Sequence, residues 1–388
     1  LFETINSGID EIFLLNLNPI EELFEIKNFI LNRLNDEKTS PMYQLQKFYP
    51  KVYDLLRQKQ FEKMDSCLLQ NIERGVQMGL YRKSIDKEFV ARIYFSGMIA
   101  IKDKVGFKGD LAEFFKFIKT DARFFYPDTD EGRNGYLKES EAYLDYINKK
   151  LPEYFGILPK APIVVKRVEA FREQPGAAQH YYPGTPDGSR PGIYYAHLSD
   201  MKAMPKNEME AIAYHEGSPG HHMQISIAQE LTGVPKFRTQ ARFTAYSEGW
   251  GLYSELLAKE MGAYQSDYSD FGRLITEMWR AVRLVVDTGM HSKGWTEQQG
   301  IEYFKEKTPV AEGAVTSEVR RYLVWPGQAT AYKIGMLKIL EIRAKAKEQL
   351  GDKFDIRGFH DTVLGGGALP LQVLEKRVQN WVDSVKAA

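Results

Sequence analysis

Tyr214-His215-Glu216-Gly217-Ser218-Pro219-Gly220-His221-His222 closes a helical run that begins near Glu208. Two imidazoles four residues apart on a helix share one face and can share a cation, with a Glu beside the first aimed at a water on that cation. Here the second imidazole comes late, at i+6 (His221) or i+7 (His222). On an unbroken helix His221 would point about 120° away, and His222 would lie about 10 Å along the axis. Pro219 cannot donate to the preceding turn, and Gly220 admits unusual dihedrals. A two-residue bulge at Ser218-Pro219-Gly220 is therefore expected to carry His221 to the place an i+4 ligand occupies, with His222 as the alternative. His215 and His221 are the expected metal ligands, and Glu216 is the expected general base.

A third donor is expected from Glu248, in Ala245-Tyr246-Ser247-Glu248-Gly249-Trp250. The pattern there is helical through Leu256, and Glu248 stands among Tyr246, Trp250 and Tyr253. A carboxylate drawn into such aromatic surroundings needs a partner, and a metal is one. The 27 residues from His221 to Glu248 leave room for a helix end, a Gly233-Val234-Pro235 loop and a return helix.

Outward from this motif the composition changes. All seven histidines lie after residue 179, and the first Trp is Trp250. Residues 1–104 hold 4 Gly and 3 Pro of the 31 and 17 in the chain, so that segment reads as helices with little punctuation. Leu23, Ile26, Ile30 and Leu34 form one apolar face, and helices are expected over Phe61–Met78 and Ile85–Ile101 around a Gly79-Leu80-Tyr81 turn. A bundle that packs or dimerises follows, and a homodimer is one expectation. Past Lys104 the stretch from Val105 to Phe125 reads as aromatic and loop-like, and Ile193-Tyr194-Tyr195 as a short strand. Gly365-Gly366-Gly367 lacks the context of a phosphate loop and reads as a turn before Pro370.

Among 388 residues, 52 Lys and Arg balance 52 Asp and Glu, so no nucleic-acid partner is expected. No apolar run reaches the length of a membrane span. One cysteine, Cys67, excludes an internal disulfide framework and a Cys-rich zinc site. The chain opens on Leu1, so its natural start, with any signal peptide, is expected to lie upstream; compartment is left open.

Tyr43-Gln44-Leu45-Gln46-Lys47-Phe48-Tyr49-Pro50, Asn71-Ile72-Glu73-Arg74-Gly75 and Gly79-Leu80-Tyr81-Arg82 resemble the ligand-binding and dimerisation half of TetR-type regulators, over residues 1–103. No helix-turn-helix accompanies it. His215-Glu216 with Pro219-Gly220-His221-His222-Met223-Gln224, Ser247-Glu248-Gly249-Trp250, Pro326-Gly327-Gln328-Ala329 and Tyr332-Lys333 resemble the DUF885 family over residues 104–388. That family is similar to gluzincin metallopeptidases, including angiotensin-converting enzyme and the M32 carboxypeptidases. The resemblance implies a mainly α fold with a small β-sheet at the cleft, and Zn2+ as cofactor. It implies Tyr322 as the oxyanion donor with Arg321 as its neighbour, since such peptidases carry an Arg-Tyr pair in a late helix. It also places Tyr194, Tyr195 and His197 where an edge strand holds substrate backbone. Family members carry a long helical half ahead of this region, which the regulator-like segment replaces here.

Arg283, Asp287 and His291 recur every four residues and are expected either to orient ligands or to form a structural ladder. The function expected is a zinc-dependent hydrolase acting on peptides, with Glu216 as base. The alternatives are a ligand-binding regulator fragment and a metal-binding protein without turnover.

Overall fold

The computed structural model describes residues 2–33, 66–83, 87, 90, 108–173, 177–310 and 312–387. The chain forms two compact units, Leu1–Lys116 and Phe117–Ala388. In the first, α1 (Phe2–Leu14) and α2 (Pro19–Arg33) share a core of Ile9, Ile12, Ile26, Leu68 and Ile72, the last two from a helical run over 66–77. Leu23 and Ile26 face this core as their spacing predicts. Glu22 is buried there and accepts from Asn71 Nδ2 at 2.7 Å and Arg74 Nη2 at 2.8 Å. The Tyr43–Pro50 string and most of the helix expected over 85–101 lie outside the described residues.

The stretch around residues 108–120, expected as loop, is a helix, α3 (Lys108–Thr120). Its apolar residues Phe114, Phe115 and Ile118 are spaced one, three and four apart, and that helical period outweighs their aromatic character. The second unit continues with α4 (Asp130–Asn148) and α5 (Leu151–Tyr154), then a three-stranded sheet. Its strands are β1 (Ile163–Arg167), β2 (His180–Tyr182) and β3 (Gly192–Ala196), in the order β1-β3-β2. β3 runs parallel to β1 and antiparallel to β2. This corrects one expectation. Tyr194 and Tyr195 lie on the central strand, whose backbone is paired on both sides, so the edges belong to β1 and β2.

Helices complete the unit: α6 (Lys206–Glu216), α7 (His221–Gln229), α8 (Thr244–Glu260), α9 (Asp267–Lys293), α10 (Glu297–Lys307), α11 (Glu312–Val324), α12 (Ala331–Leu350), α13 (Ile356–Leu364) and α14 (Leu371–Ala387). The architecture is mainly α with a small sheet. None of the described helices is long and apolar enough to cross a membrane.

α8 is the axis of the core. Tyr246, Trp250, Tyr253 and Leu257 recur at helical spacing and are fully buried. Each polar tip finds a partner: Tyr246 Oη donates to the Val363 carbonyl, Trp250 Nε1 to the Pro219 carbonyl, and Tyr253 Oη to His360 Nε2, at 2.8–2.9 Å. His360 is thereby held neutral, with burial pushing its pKa down to about 3. Beside this face α8 crosses α12 with Gly249 against Gly335, so closely that a Cβ on Gly335 would stand 1.8 Å from the Ala245 carbonyl oxygen. Gly335→Ala is expected to cost roughly 2–3 kcal/mol by overpacking, seen as a Tm lowered by about 5–10 °C in thermal denaturation. An unchanged Tm would mean the helices separate without cost.

Candidate metal centre

α6 ends where its sequence stops it. Gly217 N–H makes the last helical bond, to Ala213 O at 2.8 Å, and the Ser218-Pro219 bond is cis. The chain then folds back so tightly that a Cβ on Gly220 would stand 2.0 Å from the His215 carbonyl oxygen. α7 starts at His221, with His222 N–H bonded to Gly217 O and Gln224 N–H to Gly220 O. The expected bulge within one helix is thus a break between two helices. The Trp250 bond to Pro219 O fixes the break to α8.

The break sets the His215 and His221 rings at right angles, with centroids 4.8 Å apart. Glu248 arrives from α8. Its Oε2 lies 3.6 Å from His215 Nε2 and 3.4 Å from His221 Nε2. One donor atom from each of the three residues falls within 4.8 Å of the others, and among the described residues this is the one such group of three or more. Tetrahedral bonds of about 2.0–2.1 Å to nitrogen and oxygen place neighbouring donors about 3.3 Å apart. The two separations from Glu248 lie within about 0.3 Å of that edge. His222 turns away: Nδ1 lies 3.1 Å from Tyr181 Oη, the ring bonds the Ala161 backbone, and burial lowers its pKa to about 4.

Sequence reading missed the group that orients His215. Its Nδ1 donates to Glu255 Oε1 at 2.7 Å, both side chains being almost fully buried. Thr276 Oγ1 donates to the other carboxylate oxygen. With Nδ1 committed to Glu255, Nε2 is the nitrogen that faces Glu248, where it carries a proton or, with that proton lost, offers its lone pair to a cation. Glu248, Gly251 and Glu255 lie on the face of α8 opposite its aromatic row. A Cβ on Gly251 would stand 2.7 Å from His215 Nε2 and Cε1, so only glycine lets the imidazole lie there. The i, i+3, i+7 spacing was the available signal for Glu255.

Burial alone would lower the pKa of His215, but the bonds and charges of Glu248 and Glu255 win and raise it to about 10. Glu255 stays below the usual carboxylate range: burial opposes this, and the Arg280 charge, the His215 bond and Thr276 outweigh it. Glu248 is likewise held low, its two imidazole bonds exceeding the effect of burial. Glu216 behaves oppositely. Burial raises its pKa against the pull of His221 and His215, and the charge of Glu248 adds to the rise.

Tyr322 and Arg321 stand apart from this group. The Tyr322 ring packs among Val282, Val286, Phe304 and Val319, and its hydroxyl is enclosed. Its charged neighbours are Glu318, Arg283 and Arg321. Arg321 bonds Gln328 Oε1 and lies 3.4 Å from Glu318. Tyr332 is the phenol beside the donors: half-buried, its ring stacks on His215 at 6.1 Å, and its hydroxyl accepts from Gln328 Nε2 at 3.4 Å. The α9 residues spaced by four serve as clamps on this wall. Arg283 pairs with Glu318 at 2.8 Å, Asp287 accepts from Gly327 N–H at 3.1 Å, and His291 Nε2 donates to Tyr322 O at 2.9 Å.

The pairing of His215 with Glu255 makes a direct prediction. In chelator-treated protein the His215 imidazole should stay protonated through neutral pH and lose its proton near pH 10. Glu255→Gln removes one carboxylate charge, so the titration should fall by at least a unit. Ring-proton NMR titration measures it; an unmoved midpoint would sink the assignment.

The profile of a bacterial protein family of unknown function, DUF885, matches residues 85–378. No curated protein matches the chain. The crystal structure of a "putative lipoprotein" from Colwellia psychrerythraea is 39% identical, with a TM-score of 0.70 over 84% of this chain and 52% of its own. The chain thus spans about half the length of that relative. A "putative lipoprotein of unknown function" from Shewanella oneidensis shares the fold at 19% identity, TM-score 0.57, over 95% of this chain and 72% of its own. With its two-imidazole, one-carboxylate cluster inside the matched region, the chain belongs to the DUF885 family.

Proposed function

We propose that the chain is a zinc-dependent hydrolase acting on peptide bonds. The observation that carries this is the donor set itself: two imidazole nitrogens 3.4 and 3.6 Å from one carboxylate oxygen, all three within 4.8 Å of one another, with Glu216 beside them. Nitrogen and oxygen donors in this number are those of catalytic zinc sites that keep a position open. The kinship to gluzincin metallopeptidases belongs to this proposal, as does the likeness of residues 1–103 to regulator effector domains. Zinc held by His215, His221 and Glu248 would supply Lewis acidity, polarising a carbonyl and acidifying a water.

The remaining steps fall to this chain's own side chains. Glu216, raised in pKa by burial, takes a proton from the attacking water and returns it to the leaving amine. Glu255 holds the His215 ring in one tautomer throughout. For the developing oxyanion the sequence points to Tyr322 with Arg321, and we favour Tyr332, because the Tyr322 hydroxyl is enclosed beside Glu318 while Tyr332 is half-buried against His215. The Arg321–Gln328–Tyr332 chain then makes Arg321 a positioning residue.

Purified protein should hold one zinc per chain, and His215→Ala should hold none by elemental analysis. Because the ion replaces a proton bound at a pKa of about 10, uptake at neutral pH should release about one proton and tighten as pH rises. Calorimetry in buffers of different ionisation enthalpy counts that proton. Glu216→Gln should keep zinc and lose peptide hydrolysis by at least about a hundredfold. Tyr332→Phe should lower kcat about a hundredfold, and Tyr322→Phe far less. Zinc bound without turnover across a broad peptide library would leave a metal-binding protein only.

A further inference from the structure

Three turns of the second unit meet at the Gly365-Gly366-Gly367 run between α13 and α14. A Cβ on Gly365 would stand 3.3 Å from Ile157 Cδ1 in the α5–β1 connection, one on Gly366 would stand 2.8 Å from Arg377 Nε, and one on Gly367 would stand 3.0 Å from Leu231 Cδ1 in the α7–α8 connection. Arg238 Nη2 donates to the Gly366 carbonyl at 2.6 Å, and Lys160 N–H to Glu230 Oε1 at 2.8 Å. The Gly156 and Ile157 N–H groups both donate to Asp361 Oδ1 at 2.9 Å. The turns are thus tied to one another, and what they expose is apolar. Ile157, Leu158, Val234, Phe237 and, at the start of α14, Val373 are between 37% and 69% exposed, Phe237 the most. Lys160, Lys236 and Arg377 are exposed beside them. None of these three makes an ion pair among the described residues; Arg377 Nε donates to the Thr362 carbonyl. The neighbouring carboxylates Glu230 and Asp361 are taken up by backbone N–H groups, and no Asp or Glu lies between Glu230 and Glu248.

Exposed apolar side chains are ordinary when scattered, but a cluster of them on adjoining turns, flanked by cations without counter-charges, marks a surface made to be covered. We propose that this surface seats the chain on a bilayer of anionic lipid. Ile157, Leu158, Val234 and Phe237 enter the boundary between headgroups and acyl chains, and Lys160, Lys236 and Arg377 meet lipid phosphates. Charge selects this occupant. The chain as a whole is neutral, 52 cations against 52 anions, so the attraction is a property of this patch and not of the molecule. The shape agrees. The apolar groups stand on turns and at a helix start, and such tips enter a fluid boundary without a matching partner surface. The bonds through Gly366 and Asp361 hold the turns in place beforehand, so little ordering is left to be done on contact. The inference is independent of the hydrolase reading.

Co-sedimentation of the full-length chain with large vesicles tests this. One set of vesicles is phosphatidylcholine alone, and the other is phosphatidylcholine with one third phosphatidylglycerol. The chain should bind the anionic vesicles at least about tenfold more tightly than the neutral ones, and half-molar salt should remove most of that preference. Phe237→Ser should weaken binding to the anionic vesicles about fivefold or more. The pair Lys160→Glu and Lys236→Glu should weaken it about tenfold or more. The pair Lys202→Glu and Lys293→Glu changes the net charge equally on other elements and should bind within about twofold of the unsubstituted chain. All five side chains are exposed, and circular dichroism confirms that the variants fold. Equal binding to the two vesicle types, no binding to either, or full binding by both Phe237→Ser and the Lys160–Lys236 pair overturns the proposal. So does a control pair that loses as much as the patch pair. Polyglutamate bound as tightly as the anionic vesicles, and lost with the same substitutions, overturns the lipid assignment in favour of an acidic protein surface. Zinc and Glu216 enter none of these readouts, so failure here is distinct from failure of the hydrolase reading, which falls with zinc stoichiometry.

Discussion

The buried bond from His215 Nδ1 to Glu255 is the constraint on which the centre depends. It commits one ring nitrogen and so determines which nitrogen is offered to Glu248 and His221. It also fixes α6 against α8, because His215 lies in the last turn of one helix and Glu255 well inside the other. Thr276 extends the same bond to α9. Three helices distant in sequence are thereby registered around one imidazole. An unpaired carboxylate at that depth would cost several kcal/mol, so the arrangement favours a cation at His215, whether a proton or a metal.

Much of this was legible from residue order. The helix containing Glu248, the interruption at Pro219 and the strand at Ile193-Tyr194-Tyr195 all carry local signals, in apolar period, a breaker and β-branched or aromatic residues. The form of the break was not legible. The break at Ser218-Pro219-Gly220 is held by a bond that is remote in sequence, since Trp250 takes the Pro219 carbonyl from 31 residues away. Local rules do not see such a bond. The order β1-β3-β2 was hidden for the same reason, since a strand's text does not say how many neighbours it will have. In the helix over Lys108–Thr120 the aromatic composition suggests loop, and the spacing of Phe114, Phe115 and Ile118 carries the helical period.

Tyr322 and Tyr332 show where resemblance and geometry part. They stand ten residues apart, on either side of a Pro-Gly turn. Sequence ranks them by motif. Burial ranks them by what the hydroxyl can meet: one is enclosed with Glu318 and Arg321 of its own helix beside it, while the ring of the other lies against the His215 imidazole. The clamps from Arg283, Asp287 and His291 explain how the two remain linked, since they hold α11 and the Gly327 turn to a single face of α9.

The seven-residue interval between Glu248 and Glu255 follows from the shape of an imidazole. Its two nitrogens point in divergent directions along the ring plane, so groups serving both must stand on opposite sides of it. With contacts of about 2.7–3.5 Å at each end and the ring between, those groups are separated by roughly 8 Å. On a helix rising 1.5 Å per residue, four residues give about 6 Å and seven about 10 Å, and inward-leaning side chains take up the difference. The ring then lies along the helix over the intervening turn, where any side chain would collide with it. Gly251 occupies that turn. Glu248, Gly251 and Glu255 are therefore one device, and a methyl group at its middle would push the His215 ring off both carboxylates.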